Sequence, residues 1–378
     1  MKDDDNDRLI ADDGSTGIEC EDTGDTHKAE PYNPAKVRVS TKPTILAAIR
    51  DRLMHNEIDL KPGFQREFVW NETAQSRLIE SMMIKIPIPA FYMDATDEDR
   101  WLVVDGLQRL STIKRFVIDK DLKLTKLEFL KEHEKKTFDE LPHNFQRRIN
   151  ETEFTVFLIE KGTPGNVKFN IFKRINTGGE PLSPQEIRHA LNQGKPADVL
   201  AEMAKYEEFK KATNKSIKEK RMADRECVLR FISFYRNYPE SYVFKDFESF
   251  DYFLNQCMSE IKTLDDDVIT DIREKFKKVM DVASEIFGKD AFRKRYDLKH
   301  GLNPINKALF ETWSVNLARL NDNELDQIKS RAQQLKEIFM KKMNKAEFGN
   351  LFASGTGDPT RIKDRFKEID DIIKEVIK

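Results

Sequence analysis

The sequence is poor in cysteine: Cys20, Cys227 and Cys257 are its three, an odd number placed far apart. That argues against a disulfide framework. With no Cys-x-x-Cys pair or Cys/His cluster, it argues against structural zinc as well. Long apolar runs are also missing, and no stretch reaches the roughly 20 residues that cross a bilayer. The opening MKDDDNDRL lacks a basic region followed by an apolar one, so no secretory signal is expected, no membrane association is expected, and the cytoplasm is the expected compartment. A His-Glu-x-x-His zinc motif, a Gly-x-Ser-x-Gly nucleophile elbow and a P-loop are absent too. No repeat period stands out.

Charge is abundant, at 35% of residues, and unevenly placed. Residues 1–35 hold eleven Asp or Glu against three Lys or Arg, a local net of -8 that leaves +6 for the rest. The acidic stretch is rich in Gly, Ser and Thr and offers little apolar surface to offset its ordering entropy, so residues 1–36 are expected to be a disordered tail. A net of +6 is compatible with nucleic-acid binding and does not require it.

From Lys36 the pattern becomes that of a folded domain. Val37 to Val39 alternates, and Thr44 to Ile49 opens an amphipathic helix. Ile58 to Leu60, Ala90 to Met93, Trp101 to Val104 and Phe154 to Ile159 read as strands. Asn71 is a plausible N-cap for a helix whose face carries Ala74, Leu78, Ile79, Met82 and Met83. A polar helical stretch is expected over 127–150, and Val167, Phe169, Phe172 and Ile175 mark another helix. Ser183-Pro184-Gln185-Glu186 is a capping box with proline at the first helical position. Beyond Pro196 only amphipathic helices are legible. The expected architecture is α+β: a mixed domain over 37–195, then an all-α helical domain over 196–378.

The sharpest chemical signal is Trp101-Leu102-Val103-Val104-Asp105-Gly106-Leu107-Gln108-Arg109. A strand runs into a tight turn and a helix begins at once, which presents free N–H groups to an anion. Gly106 allows close backbone approach, Arg109 could clamp a phosphate, and Gln108 lies on the same side. Asp105 would repel a bare phosphate, so its functional reading is a metal ligand or a holder of the attacking water. The structural alternative is that Asp105 caps the helix and Arg109 faces solvent. Phe64-Gln65-Arg66 with Phe68 and Trp70 forms a second signal, either an aromatic stacking surface or domain core. Arg174-Ile175-Asn176-Thr177-Gly178-Gly179 is the third, either a phosphate wrap or a helix C-cap.

These three segments, the last continuing through Leu182, Ser183 and Glu186, occur in the same order in the family called domain of unknown function 262. The chain therefore resembles the N-terminal domain of GmrSD-type restriction endonucleases, over about residues 38 to 375. Asn303 to Phe310 and Arg361 to Ile369 add to the likeness. The resemblance implies a fold similar to ParB and sulfiredoxin, in which an Asp-Gly-Gln-Gln-Arg turn binds or hydrolyses nucleoside triphosphates with Mg2+. By position, Asp105, Gln108 and Arg109 take the catalytic places. Gly106, Gln65, Arg66, Arg174, Asn176 and Gly179 take the nucleotide-binding ones, and Asp105 is the metal ligand. Leu107 stands where the family has its first glutamine, which makes hydrolysis less secure than binding.

The implied activity is that of a nucleotide-regulated anti-phage defence protein acting on foreign DNA. Two other classes compete with it. One is a metal-dependent endonuclease using Asp105 and Glu186 in the α/β domain. The other is a non-enzymatic DNA-binding or assembly subunit. A second histidine does not follow His300, so a His-Asn-His nuclease is not legible in the C-terminal half, and a nuclease partner is one expectation. Self-association through the helical domain is another. Lys211, Lys218 and Arg221 belong to a basic cluster that could track a phosphate backbone, although a solvated helix face explains it as well. Arg293-Lys294-Arg295 is a weaker signal of the same kind.

Overall fold

The computed structural model describes residues 16–24, 34–60, 70–175, 182–239, 249–297, 299 and 301–378. The chain divides into two compact units, Pro31–Leu182 and a second that joins the N-terminal segment to Ser183–Lys378. The division falls before Ser183, so the helix opened by its capping box goes with the helical unit, although the sequence pattern suggested a boundary at 195. Among the described residues no helix is long and apolar enough to cross a membrane.

The first unit is α+β, as expected. Its sheet has the order β1-β5-β3-β4-β2, with β1 Val39–Ile45, β2 Ile58–Asp59, β3 Phe91–Ala95, β4 Trp101–Asp105 and β5 Glu153–Glu160. β1 and β5 are antiparallel, as are β3 and β4, whereas β3 with β5 and β2 with β4 are parallel. Parallel neighbours need crossovers, and helices α1 (Leu46–Met54), α2 (Glu72–Met83), α3 (Leu107–Ile113) and α4 (His143–Asn150) lie in the connections, while α5 (Gly165–Ile175) follows β5. α2 begins as the sequence suggests, with Asn71 accepting from the Ala74 amide at 2.9 Å. Leu78, Ile79, Met82 and Met83 are buried in one cluster with Phe91, Val103, Leu110 and Phe154. α5 carries a buried cation, Lys168, whose Nζ lies 3.1 Å from both oxygens of buried Asp94 on β3.

Two local expectations are corrected. Thr44 does not open a helix; it lies in β1, paired with Phe154. The stretch 127–150 is not one helix: short 3-10 turns occupy Lys131–His133 and Phe138–Glu140, and only His143–Asn150 is α-helical. The cause is visible in α2. The buried Glu80 carboxylate accepts from the backbone amides of Glu128, Phe129 and Leu130 at 2.9, 2.8 and 2.8 Å, which holds that segment in an extended turn.

The second unit is all-helical among its described residues apart from isolated bridges. Its elements are α6 (Pro184–Leu191), α7 (Lys195–Met203), α8 (Glu207–Ala212), α9 (Ala223–Arg236), α10 (Phe250–Ile261), α11 (Asp266–Phe287), α12 (Lys307–Ala318), α13 (Asp322–Ser330), α14 (Ala332–Met343), α15 (Ala346–Asn350) and α16 (Pro359–Ile377). α12 is buried from Ala308 to Ala318, so it serves as the hub of this core. It carries one acid, Glu311, which meets Arg230 of α9 at 3.1 Å and Arg365 of α16 at 3.1 Å.

Within the stretch 1–36 expected to be disordered, residues 16–24 are folded and Pro34–Lys36 forms a 3-10 turn. Ile18 is 2% exposed, and its segment exchanges backbone hydrogen bonds with Ile305, Glu19 N donating at 2.8 Å and Gly17 O accepting at 3.3 Å. Asp22 O and Thr23 O accept from Thr356 N and Gly357 N, each at 3.0 Å. Composition misses this because it averages over the segment. One apolar anchor, Ile18, is buried, and Glu19 and Glu21 meet buried cations, Lys294 in the segment before α12 and Arg230 in α9.

Candidate functional site

β4 delivers the chain to Asp105, and Gly106 turns it with φ +100° into α3. A Cβ at Gly106 would stand 2.3 Å from Cδ1 of Phe91, so the position excludes every side chain on two counts. Phe91 is itself fully buried, edge-on to Phe154 at 5.2 Å between ring centroids. The turn is therefore tight because the core lies directly beneath it. α3 runs on into a π-helical turn over Lys114–Ile118, whose Arg115 reaches back to Gln75 at 3.0 Å.

Arg109 and Asp105 are an i, i+4 pair, Nη2 to Oδ2 2.7 Å, with side chains 12% and 30% exposed. The guanidinium also lies 4.8 Å above the Phe91 ring and donates to Ala90 O at 3.2 Å and to Pro89 O. Neither half of the structural alternative holds. Arg109 does not face solvent, and Asp105 does not cap α3, whose N-cap is Gly106 with no side-chain cap bond. Burial lowers the Arg109 pKa from its ordinary value, and the Asp105 charge opposes that shift. Asp105 keeps one carboxylate oxygen, Oδ1, without a hydrogen bond among the described residues.

Gln108 is turned to a neighbouring segment: its Oε1 accepts from Trp70 N at 3.2 Å, and Gln75 Nε2 donates to Trp70 O at 2.7 Å. The amide thus ties Trp70 to the first turn of α3. Gln65 and Arg66 lie outside the described residues, as do Asn176, Gly179 and His300. Arg174 is exposed in the last turn of α5 and makes no hydrogen bond or ion pair with Asp105 or Arg109. The structure thus brings Asp105, Gly106, Gln108 and Arg109 to one corner.

Among the described residues no three His, Cys, Asp or Glu side chains cluster as a cation site. Glu186 is buried and accepts from Ser183 N at 2.6 Å in its capping box, so its side chain has a structural task in the helical unit.

The basic stretches of the helical unit separate by burial. Lys211 is exposed at the end of α8, 3.8 Å from Asp281. Lys218 is exposed, and its backbone N donates to Thr16 O at 2.9 Å. Arg221 sits at φ 62°, its carbonyl accepting from Ser183 Oγ at 2.9 Å. Arg293 and Lys294 are buried and structural: Arg293 donates to Ser216 Oγ at 2.6 Å and Lys294 to Glu19 at 2.6 Å.

Sequence reasoning missed a cluster elsewhere on the sheet. Arg38, Lys42, Arg52, Trp101, Glu160 and Lys161 line a cavity of about 600 Å³ there. They come from β1, α1, β4 and the end of β5, so no window of sequence holds them together. A second cavity, of about 680 Å³, is lined by Leu53, Asn56, Asp59, Arg100 and Lys114 among others. Neither is lined by Asp105 or Arg109.

Residues 49–193 fit the family model described as GmrSD restriction endonuclease, N-terminal domain. The span takes in the Asp105–Arg109 corner, α2 and the capping box. No curated protein matches the chain.

Proposed function

Residues 49–193 belong to the GmrSD restriction endonuclease N-terminal domain family, and from that premise we propose that this protein binds and hydrolyses a nucleoside triphosphate and uses it to regulate action on foreign DNA in anti-phage defence. The observation that carries the reading is the Asp105–Arg109 pair at a corner where Gly106 has no room for a side chain. The first turn of α3 offers backbone N–H groups to a phosphate, and Arg109 offers a planar donor fork beside them. Transfer of Arg109 from Asp105 to a phosphate would free the carboxylate.

Asp105 would then orient the attacking water or complete the coordination of a Mg2+ ion bound chiefly by the phosphates. Such an ion supplies charge neutralisation on the transferring group. Gln108 keeps Trp70 in place beside α3, and Gln65, Arg66, Arg174, Asn176 and Gly179 contribute the further contacts implied by the family motif. The Leu107 replacement removes an amide from the first turn, so slow turnover is expected.

The test is binding and turnover of ATP, GTP, CTP and UTP with magnesium by wild type, Asp105→Asn and Arg109→Lys, with thermal unfolding of each. The reading expects one nucleotide to bind wild type, with affinity reduced in Arg109→Lys. It expects turnover lost in Asp105→Asn with binding retained. No binding of any nucleotide by a folded wild type overturns it.

A further inference from the structure

Arg38, Lys42 and Lys161 face one cavity and have no ion pair or side-chain hydrogen bond among the described residues. The fourth cation, Arg52, is committed: Nη1 meets Glu57 at 2.8 Å, and its guanidinium lies 4.0 Å over the Trp101 ring. Two acids, Glu98 and Glu160, share the lining, which leaves it with two more cations than carboxylates. Glu160 accepts from Ser40 Oγ at 2.6 Å. Cations that share a concave wall repel each other and concentrate anions from solution.

The arrangement is linear. Arg38 precedes β1 and Lys42 lies on it, both on the face that also carries Ser40, because side chains alternate along an extended strand. Four residues of strand separate them by roughly 13 Å. Lys161 follows the last residue of β5, next to Arg38, where Glu160 N donates to Arg38 O at 2.9 Å. A row of that length suits successive phosphates better than one. The cavity offers no face for a base, since Trp101 is buried and already covered by Arg52. Recognition of this kind follows a backbone without reading sequence.

We propose that this groove, which Asp105 and Arg109 do not line, binds the phosphate backbone of DNA through Arg38, Lys42 and Lys161. The inference rests on the proposed action on DNA and locates the contact in the α+β unit, apart from Lys211, Lys218 and Arg221. The groove would hold DNA wherever the target sequence lies, while selection of foreign DNA comes from elsewhere.

The experiment is fluorescence anisotropy of a labelled duplex against full-length protein over a range of KCl concentrations, with and without nucleotide and magnesium. Wild type is compared with the triple variant Arg38→Gln/Lys42→Gln/Lys161→Gln and with the control Lys211→Gln/Lys218→Gln. All five positions are exposed, so folding is expected to survive; circular dichroism checks it. The expected result is an affinity loss of about tenfold or more in the triple variant at low salt, with a salt slope shallower by about two to three. The control should change little. Equal affinity and slope in wild type and triple variant overturn the inference and leave the defence reading standing. So does a loss of binding in the control alone, or a triple variant that loses nucleotide and not DNA. A wild type that binds no DNA under any condition removes the DNA part of the functional reading itself.

Discussion

Glu21 and Arg230 form a forked ion pair, Oε1 to Nη1 2.9 Å and Oε2 to Nη2 2.5 Å, across 209 residues of chain. Arg230 is 2% exposed and also meets Glu226 and Glu311, while Lys307 joins Glu226 at 3.0 Å. Burial acts to raise the Glu21 pKa, but Arg230 and Lys307 outweigh it and hold the carboxyl below its usual range. Glu21→Ala is expected to destabilise the helical unit by about 2–4 kcal/mol, because it strands buried positive charge. Urea unfolding checks this. A variant with wild-type stability would show the N-terminal segment to be dispensable.

Gly106→Ala combines a positive φ with a contact no Cβ tolerates. The expected loss is about 2 kcal/mol or more, from backbone strain and overpacking together. Phe91→Leu alone should also destabilise, through lost ring contacts. In the double variant the two losses should sum to more than the measured effect, since the smaller side chain relieves the clash. Additive losses in the cycle would show that the turn does not rest on Phe91.

Glu80→Ala removes the acceptor of three backbone amides at once. A loss of about 3 kcal/mol is expected from charged hydrogen bonds left unmade. Burial acts to raise the Glu80 pKa, yet the three amides prevail and the carboxyl sits below its ordinary value. A depressed carboxyl contributes stability that is present above its unfolded pKa of 4.5 and lost as pH falls through the folded value. Wild type should therefore lose stability on acidification below about pH 4.5 more steeply than Glu80→Ala. Parallel acid titrations of unfolding midpoints decide it.

His189, in α6, is 5% exposed with Arg225 Nη1 3.4 Å from its Nδ1. Burial first and the Arg225 charge second lower its pKa from 6.5 to about 4. The unfolded chain binds the proton more readily, so stability is full above pH 6.5 and falls between 6.5 and about 4. A His189→Gln variant should show a flatter stability profile across that window, and the wild-type NMR resonance should titrate near the lower value. Titration near 6.5 would contradict the buried, neutral ring.

What the sequence made legible was local or ordered along the chain. The Asn71 cap, the apolar face of α2, the Ser183–Glu186 box and the strand–Gly106–helix corner each lie within a dozen residues, and three motifs in order identified the family. What it hid was made by distant partners. β1 has little alternation and contains Pro43, and it becomes a strand because β5, more than a hundred residues later, pairs with it. Helical propensity over 127–150 yielded to Glu80, a residue some fifty positions away. The pinning of Arg109 by Pro89 and Ala90 carbonyls, and the cations gathered around Trp101, depend likewise on the folded sheet.

Residues 16–24 also set an order of events. They leave the ribosome ahead of both units' helices, yet Thr356, whose hydroxyl donates to Glu21 at 2.6 Å, lies 335 residues downstream. Glu21 meets Arg230, Glu19 meets Lys294 and the backbone pairs with Ile305 as those residues are made in turn, and the contacts with Thr356 and Gly357 are completed last. A segment made early is thus fixed by partners made progressively later, and its full set of contacts waits until Gly357 has been made.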